Sequence, residues 1–294
     1  MDRAKIIACP LMLLLFLCSC SKPAKIVVGS KNFTEQLLLG EILAQQIESQ
    51  TSIRVERRLN LGGTLLAQQA LESGAIDLYP EYTGTALTAV LKRPPEKDPA
   101  TVFEQVSADY ARHFHLVWLR PFGFNNTFAM VIRKEDAQNG AIATLSAAAS
   151  AHPWKLGVGY EFLKRPDGFE GLVKTYGLKI DGPPITMDLG LLYTALKNGQ
   201  VGMVAGNSTD GMLAVLNAVV LTDDKRYFPP YECAAVVRED ALKRFPELRP
   251  ALERLSGRLP DEVMRKLNYA VDGEHRPVRE VASSFIQNLQ TPAH

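Results

Sequence analysis

The sequence predicts an α/β protein built as two similar lobes, and three observations predict it. Strand-like and helix-like segments alternate along most of the chain. Ala70-Leu71-x-x-Gly74-x-Ile76-x-Leu78 recurs as Ala195-Leu196-x-x-Gly199-x-Val201-x-Met203, at a constant offset of 125 residues. AMVIRKEDA (Ala129 to Ala137) returns as AAVVREDA (Ala234 to Ala241). Two helix–Gly–strand units and two strand–helix units thus suggest two copies of one plan.

The elements follow in order. Lys25 to Gly29 (KIVVG) is a short apolar run ended by glycine, the pattern of a buried strand. Thr34 opens a helix to about Gln50, with Leu37, Leu38, Ile42, Leu43 and Ile47 on one side. Ile53 to Arg57 alternates like a strand. Gly62-Gly63-Thr64 opens a second helix that ends near Ser73-Gly74. A strand over Ile76 to Leu78 comes next, followed by a Pro80-anchored turn that leads Tyr79, Glu81 and Tyr82 into Thr83-Gly84-Thr85. Further strand–helix alternation fills the middle. Pro246 to Leu255, Pro260 to Ala270 and Val278 to Leu289 read as helices, with Pro or Asp at their starts.

The N-terminus carries an address rather than a fold. Arg3 and Lys5 precede the apolar run Ile6 to Leu17, which is too short for a spanning helix of roughly 20 residues. Leu17-Cys18-Ser19-Cys20 resembles a bacterial lipobox. The expectation is a signal peptide over 1–19, lipidation of Cys20, and a tether over 20–25, which places the body outside the cytoplasm on a bacterial membrane. No second apolar run approaches spanning length.

Composition excludes other classes. Lys and Arg total 33 against 32 Asp and Glu, so the balance points to neither nucleic acid nor an anionic membrane surface. Of four cysteines, Cys9 and Cys18 leave with the signal and Cys20 would carry lipid. Cys233 alone remains, which leaves neither a disulfide framework nor a metal cluster. His113 and His115 lack carboxylate or thiol partners at ligand spacing and read as surface. No phosphate loop and no nucleophile elbow occurs. Asp77 and Glu81 read as structural, and Asp210 as capping a helix or ordering its turn. No catalytic residue and no cofactor is expected.

Ligands in open α/β sheets sit outside the carboxyl ends of the strands. Two such strand ends facing each other make the plan of a hinged, two-lobe binding protein. GSKNFTEQ (Gly29 to Gln36), GGTLLAQQALESGAIDLYPEYTGT (Gly62 to Thr85), NNTFAMVIRK (Asn125 to Lys134), NSTDG (Asn207 to Gly211), DDKRYFPPYECAAVVR (Asp223 to Arg238) and LNYAVDG (Leu267 to Gly273) sharpen this. Together they resemble the substrate-binding component of ABC importers for glycine betaine, choline, carnitine and related quaternary amines. The resemblance implies a type II periplasmic-binding-protein fold, each lobe a mixed sheet flanked by helices, with a two-strand hinge. It places one lobe over 26–126 plus 230–294 and the other over 127–229. It implies capture by cleft closure and delivery to a permease and its ATPase by a monomeric receptor.

The resemblance also carries a site. A quaternary ammonium has no N–H to donate, so its charge is best held by aromatic faces, worth about 0.5 to 2 kcal/mol each. Four family positions, usually tyrosines, fall on Tyr82, Phe128, Asn207 and Tyr231. Three remain aromatic, while Asn207 replaces a wall with an amide that both donates and accepts. The carboxylate end of the ligand falls to Lys31, Thr85 and Arg165. A zwitterion is expected, glycine betaine-like or bulkier, such as carnitine, proline betaine or ergothioneine. A polar amino-acid receptor is the alternative that Asn207 leaves open. An exported enzyme or a sensor domain on the same jaw is a more distant one.

Overall fold

The computed structural model describes residues 25–290; the expected signal peptide and Cys20 lie outside the described residues. The chain opens with β1 (Lys25–Gly29), α1 (Thr34–Gln50), β2 (Arg54–Arg58), α2 (Thr64–Glu72) and β3 (Leu78–Tyr82). A short helix α3 (Thr83–Thr85) runs into a π-helical turn at Ala86–Val90, and α4 (Pro99–Phe114) and β4 (Leu116–Trp118) follow. Asp98 caps α4 by accepting from the Thr101 amide, and Pro99 sits in its first turn where no N–H is needed.

A crossing then leads to β5 (Phe128–Arg133), α5 (Lys134–Gly140), α6 (Leu145–Ser150), β6 (Leu156–Val158) and α7 (Phe169–Tyr176). After these come β7 (Ile185–Thr186), α8 (Leu189–Lys197), β8 (Met203–Asn207), a 3-10 turn at Gly211–Ala214, and β9 (Ala218–Val220). A second crossing returns to β10 (Cys233–Arg238), α9 (Glu239–Arg244), α10 (Leu248–Glu253), α11 (Asp261–Asp272) and α12 (Val278–Gln290).

The strands form two five-stranded mixed sheets, ordered β2-β1-β3-β10-β4 and β7-β6-β8-β5-β9. In each, an interior strand runs antiparallel to the central one: β10 against β3, and β5 against β8. The two internal echoes are therefore one pseudo-symmetry. The helix–Gly–strand echo places α2-Gly74-β3 on α8-Gly199-β8, both glycines in the left-handed region at φ +74° and +69°. The strand–helix echo places β5–α5 on β10–α9. Arg238 donates to the carbonyls of Leu71 and Glu72, and Arg133 donates to those of Leu196 and Val201. Each copy thus ties the end of its helix to its antiparallel strand.

Side-chain alternation builds a core on both faces of each sheet. In the first lobe, Ile26 and Val28 pack toward α1 and the C-terminal helices, while Val27 faces α2 and α4. In the second, Met130 and Ile132 pack with Trp154, Phe162 and Leu172, while Ala129 and Val131 meet Leu192 and Tyr193 of α8.

One sequence expectation is corrected. The strand does not end at Leu78; Tyr79 to Tyr82 are its body, and the turn comes after Tyr82. Proline normally costs a central strand one ladder bond. Here Pro80 lies opposite Ala235, whose carbonyl accepts from the Leu119 amide on the other side. Neighbouring β1 pairs with β3 only at Leu78, so no partner on that side asks for the missing N–H.

The crossings run side by side as two extended segments. They are held by an isolated bridge between Asn125 and Glu232, by the Asn126 amide on the Tyr231 carbonyl at 3.1 Å, and by Tyr231 N on Asn125 Oδ1 at 2.6 Å.

Candidate functional site

The C-terminal ends of β3 and β8 and the crossings meet at a cleft of about 710 Å³. All seven residues expected at the site line it: Tyr82, Phe128, Asn207 and Tyr231, and Lys31, Thr85 and Arg165. Tyr82 ends β3 and Asn207 ends β8, equivalent positions in the two lobes. Phe128 begins β5 directly opposite Asn207, and Tyr231 lies in the second crossing, two residues before β10.

Three aromatic residues stand close together. The rings of Phe128 and Tyr231 meet edge to face at 5.7 Å, and Phe162 meets Phe128 in the same way at 4.9 Å. Tyr82 stacks with Phe33 at 6.4 Å. Tyr231 is seated against Gly84: a Cβ there would lie 2.6 Å from the Pro230 carbonyl oxygen and 2.8 Å from the ring itself. No other residue fits beneath that ring without moving it.

The tyrosine hydroxyls turn toward buried carboxyls. Tyr82 Oη donates to Glu35 Oε1 at 2.8 Å, and Tyr231 Oη donates to Asp167 Oδ2. Glu35 collects three more donors: Asn126 Nδ2 at 2.7 Å, Thr209 Oγ1 at 2.5 Å and Asn268 Nδ2 at 2.8 Å. Burial pushes the Glu35 carboxyl above its ordinary range, while the bonds from Thr209, Tyr82 and Asn268 pull the other way. Asp210 accepts from Tyr193 Oη at 2.6 Å and the Asn207 amide at 2.8 Å, and it orders the turn after β8 rather than capping the 3-10 helix. Burial raises its pKa to about 6. Among the described residues no basic side chain bonds either carboxyl.

Both expected cations have internal partners. Lys31 Nζ lies 2.5 Å from Glu81 Oε1 and 3.0 Å from Thr64 Oγ1, with the side chain only 3 % exposed. That gives Glu81 its structural role, while Asp77 accepts from the Val27 amide and from Arg244. Arg165, in the loop between β6 and α7, donates through Nε and Nη2 to the two oxygens of Asp167 at 2.9 and 2.6 Å. Its Nη1 reaches Thr85 Oγ1 at 2.9 Å, and its guanidinium carbon lies 5.2 Å from the centre of the Phe128 ring. Burial disfavours the guanidinium charge, but the Asp167 carboxylate more than offsets this and holds the pKa above its ordinary value. Asp167 is likewise held low by Arg165 against its burial.

Several bonds join the lobes across the cleft. Glu161 accepts from the Thr64 amide at 2.6 Å and its hydroxyl at 3.1 Å, and so caps α2 from the opposite lobe. Arg165–Thr85, Thr88–Asp167 and Glu35–Thr209 also span it. Glu35 lay inside the motif Gly29 to Gln36, while Glu161 lies four residues before Arg165 and Asp167 two residues after it. Their signal was a carboxylate next to a cage or anion-end residue, but their partners are set only by tertiary contact.

Two similar mixed sheets, two crossings, and an aromatic cleft at the strand ends define a solute-binding protein with a type II binding-protein fold. The family model for the substrate binding domain of ABC-type glycine betaine transport systems matches residues 24–288, and the chain belongs to that family. It is 35 % identical over 283 residues to the carnitine transport binding protein OpuCC of Listeria monocytogenes, covering 93 % of this chain and 92 % of the relative. It is 36 % identical over 285 residues to a glycine-betaine-binding protein of Pseudomonas aeruginosa, with 93 % and 90 % covered. A crystal structure of a glycine betaine/carnitine/choline ABC transporter superposes with a TM-score of 0.76 at 30 % identity, covering 90 % of this chain and 98 % of that one.

Proposed function

We propose that this protein is an extracytoplasmic receptor that captures a quaternary ammonium compound by closure of its two lobes and delivers it to an ABC permease and ATPase. The observation that carries the reading is the cage geometry. Tyr82, Phe128 and Tyr231 line one cleft, and both tyrosines have their hydroxyls committed to carboxyls. Such a surface holds a diffuse cation that brings no hydrogen-bond donor. The ligand's polar end would lie toward Thr85 and Arg165, with Asn207 leaving room for a headgroup or tail larger than that of glycine betaine.

The relatives named for carnitine and for glycine betaine support this class. So does a relative named as an ergothioneine transport permease/ergothioneine binding protein in Helicobacter pylori, 36 % identical over 266 residues. The reading is of binding without turnover, by a monomer held to its membrane through lipid on Cys20. No helix among the described residues is long and apolar enough to cross a membrane. The lobes would divide at 26–126 plus 230–294 and 127–229.

Calorimetric titration of the purified protein with glycine betaine, carnitine, choline, ergothioneine and polar amino acids tests the proposal. A methylated amine should bind and its unmethylated counterpart should not. Binding confined to unmethylated amines would favour the amino-acid receptor instead.

A further inference from the structure

The charges of the cleft do not match the simple picture of an open anion site at one end. Arg165 presents five N–H donors, and its side-on edge, the pair Nε and Nη2, is the edge that grips a carboxylate with two parallel bonds. That edge is filled by Asp167. The pair is deeply buried, with side chains 8 % and 0 % exposed. Asp167 is itself anchored by Thr88 Oγ1 at 3.0 Å and by the Tyr231 hydroxyl, so it is not a loose side chain that steps aside. The second cation, Lys31, is spent on Glu81. Glu35 and Asp210, by contrast, border the same cleft and accept only from neutral donors among the described residues.

On the reading of the protein as a quaternary-amine receptor, we infer that Asp167 is a specificity-determining residue. It occupies the two-pronged face of Arg165 as a ligand carboxylate would. A ligand carboxylate then meets only Thr85 and the remaining guanidinium hydrogens. The cation drives capture, and the carboxylate adds little discrimination. Wild-type protein should therefore bind choline, which has no carboxylate, within about tenfold of glycine betaine, because the charge that would separate them is already neutralised.

Asp167→Asn keeps an oxygen for Thr88 and Tyr231 but removes the charge that neutralises Arg165. The ratio of choline to glycine betaine dissociation constants should then rise at least about tenfold over wild type, with glycine betaine gaining. In the double variant Asp167→Asn, Arg165→Gln the gain should vanish, since the effect runs through the guanidinium. Titration of the full-length protein and both variants with the two ligands reads this directly. Both ligands binding, with a ratio unmoved by Asp167→Asn, overturns the inference and leaves the receptor reading intact. Neither ligand nor any other quaternary amine binding wild type overturns both. The wild-type ratio serves even if the variant does not fold. A preference above about a hundredfold for glycine betaine would mean that Asp167 does not blunt the anion site.

Discussion

Tyr82 and Tyr231 are set differently from tyrosines that merely fill a core. Each donates its phenolic hydrogen to a buried carboxyl, Glu35 or Asp167. This leaves the ring electron-rich and puts negative charge behind it, which strengthens attraction for a cation against the ring. Tyr82→Ala or Tyr231→Ala should weaken the best quaternary amine at least about tenfold, or about 1.4 kcal/mol. Unchanged affinity by calorimetry would remove that residue from the cage. Asp210 gives the site a pH dependence whose sign can be worked out. Burial lifts its pKa from 3.8 to about 6, Tyr193 and Asn207 pull it down, and nearby Asp272 adds to the lift. The folded state then holds this proton more tightly than the unfolded chain. The group's contribution to stability is fully present below pH 3.8 and is lost as pH rises to about 6. A bound cation favours the ionised form, so affinity should fall as pH drops from about 7 toward 5. Asp210→Asn should flatten both the melting-temperature and the affinity profile; profiles unchanged by the variant would place the titration elsewhere.

At the next scale, β3 with the helix that follows it is the element on which the cage rests. It carries Tyr82 at its end and Thr85 one turn later, and Gly84 between them lets the Tyr231 ring lie against the backbone. Gly84→Ala should cost about 1 to 3 kcal/mol from crowding, read in the melting temperature, and should also weaken ligand binding by shifting the ring. A stable variant with normal affinity would show that the ring has room to move. Much of this element was legible beforehand. The 125-residue echo aligned Tyr82 with Asn207, and those residues end equivalent strands. The strand's true end was not legible, because Pro80 reads locally as a turn. Its tolerance depends on which way Ala235, in a strand more than 150 residues later, points its carbonyl. The Arg165–Asp167 pair was hidden for a different reason. Arg165 was placed at the anion end and Asp167 lies only two residues on, but whether the guanidinium turns back to its neighbour or out into the cleft is a rotamer choice made by Thr85, Thr88 and Tyr231.

Across the whole molecule, each sheet has its own apolar clusters, Phe128 and Phe228 pack against a cluster of each lobe, and a few polar bonds near the cleft complete the fastening. That division suits a body that opens and shuts, since breaking a few hydrogen bonds costs far less than splitting a core. Glu161→Ala should shorten ligand residence several-fold, seen in stopped-flow release, because it removes a cross-lobe bond without touching the cage. An unaltered release rate would mean that Glu161 plays no part in holding the lobes together. The clasp between Glu161 and the first amide of α2 has one more consequence. A helix leaves that first amide without an intrahelical partner, and cap side chains from its own segment usually serve the second or third amide instead. Here the protection comes from the far lobe, and Gly63 offers no side chain to replace it. The exchange of a single hydrogen, on Thr64, therefore clocks how long the jaw stays shut, and deuterium uptake there would meter ligand occupancy without a label.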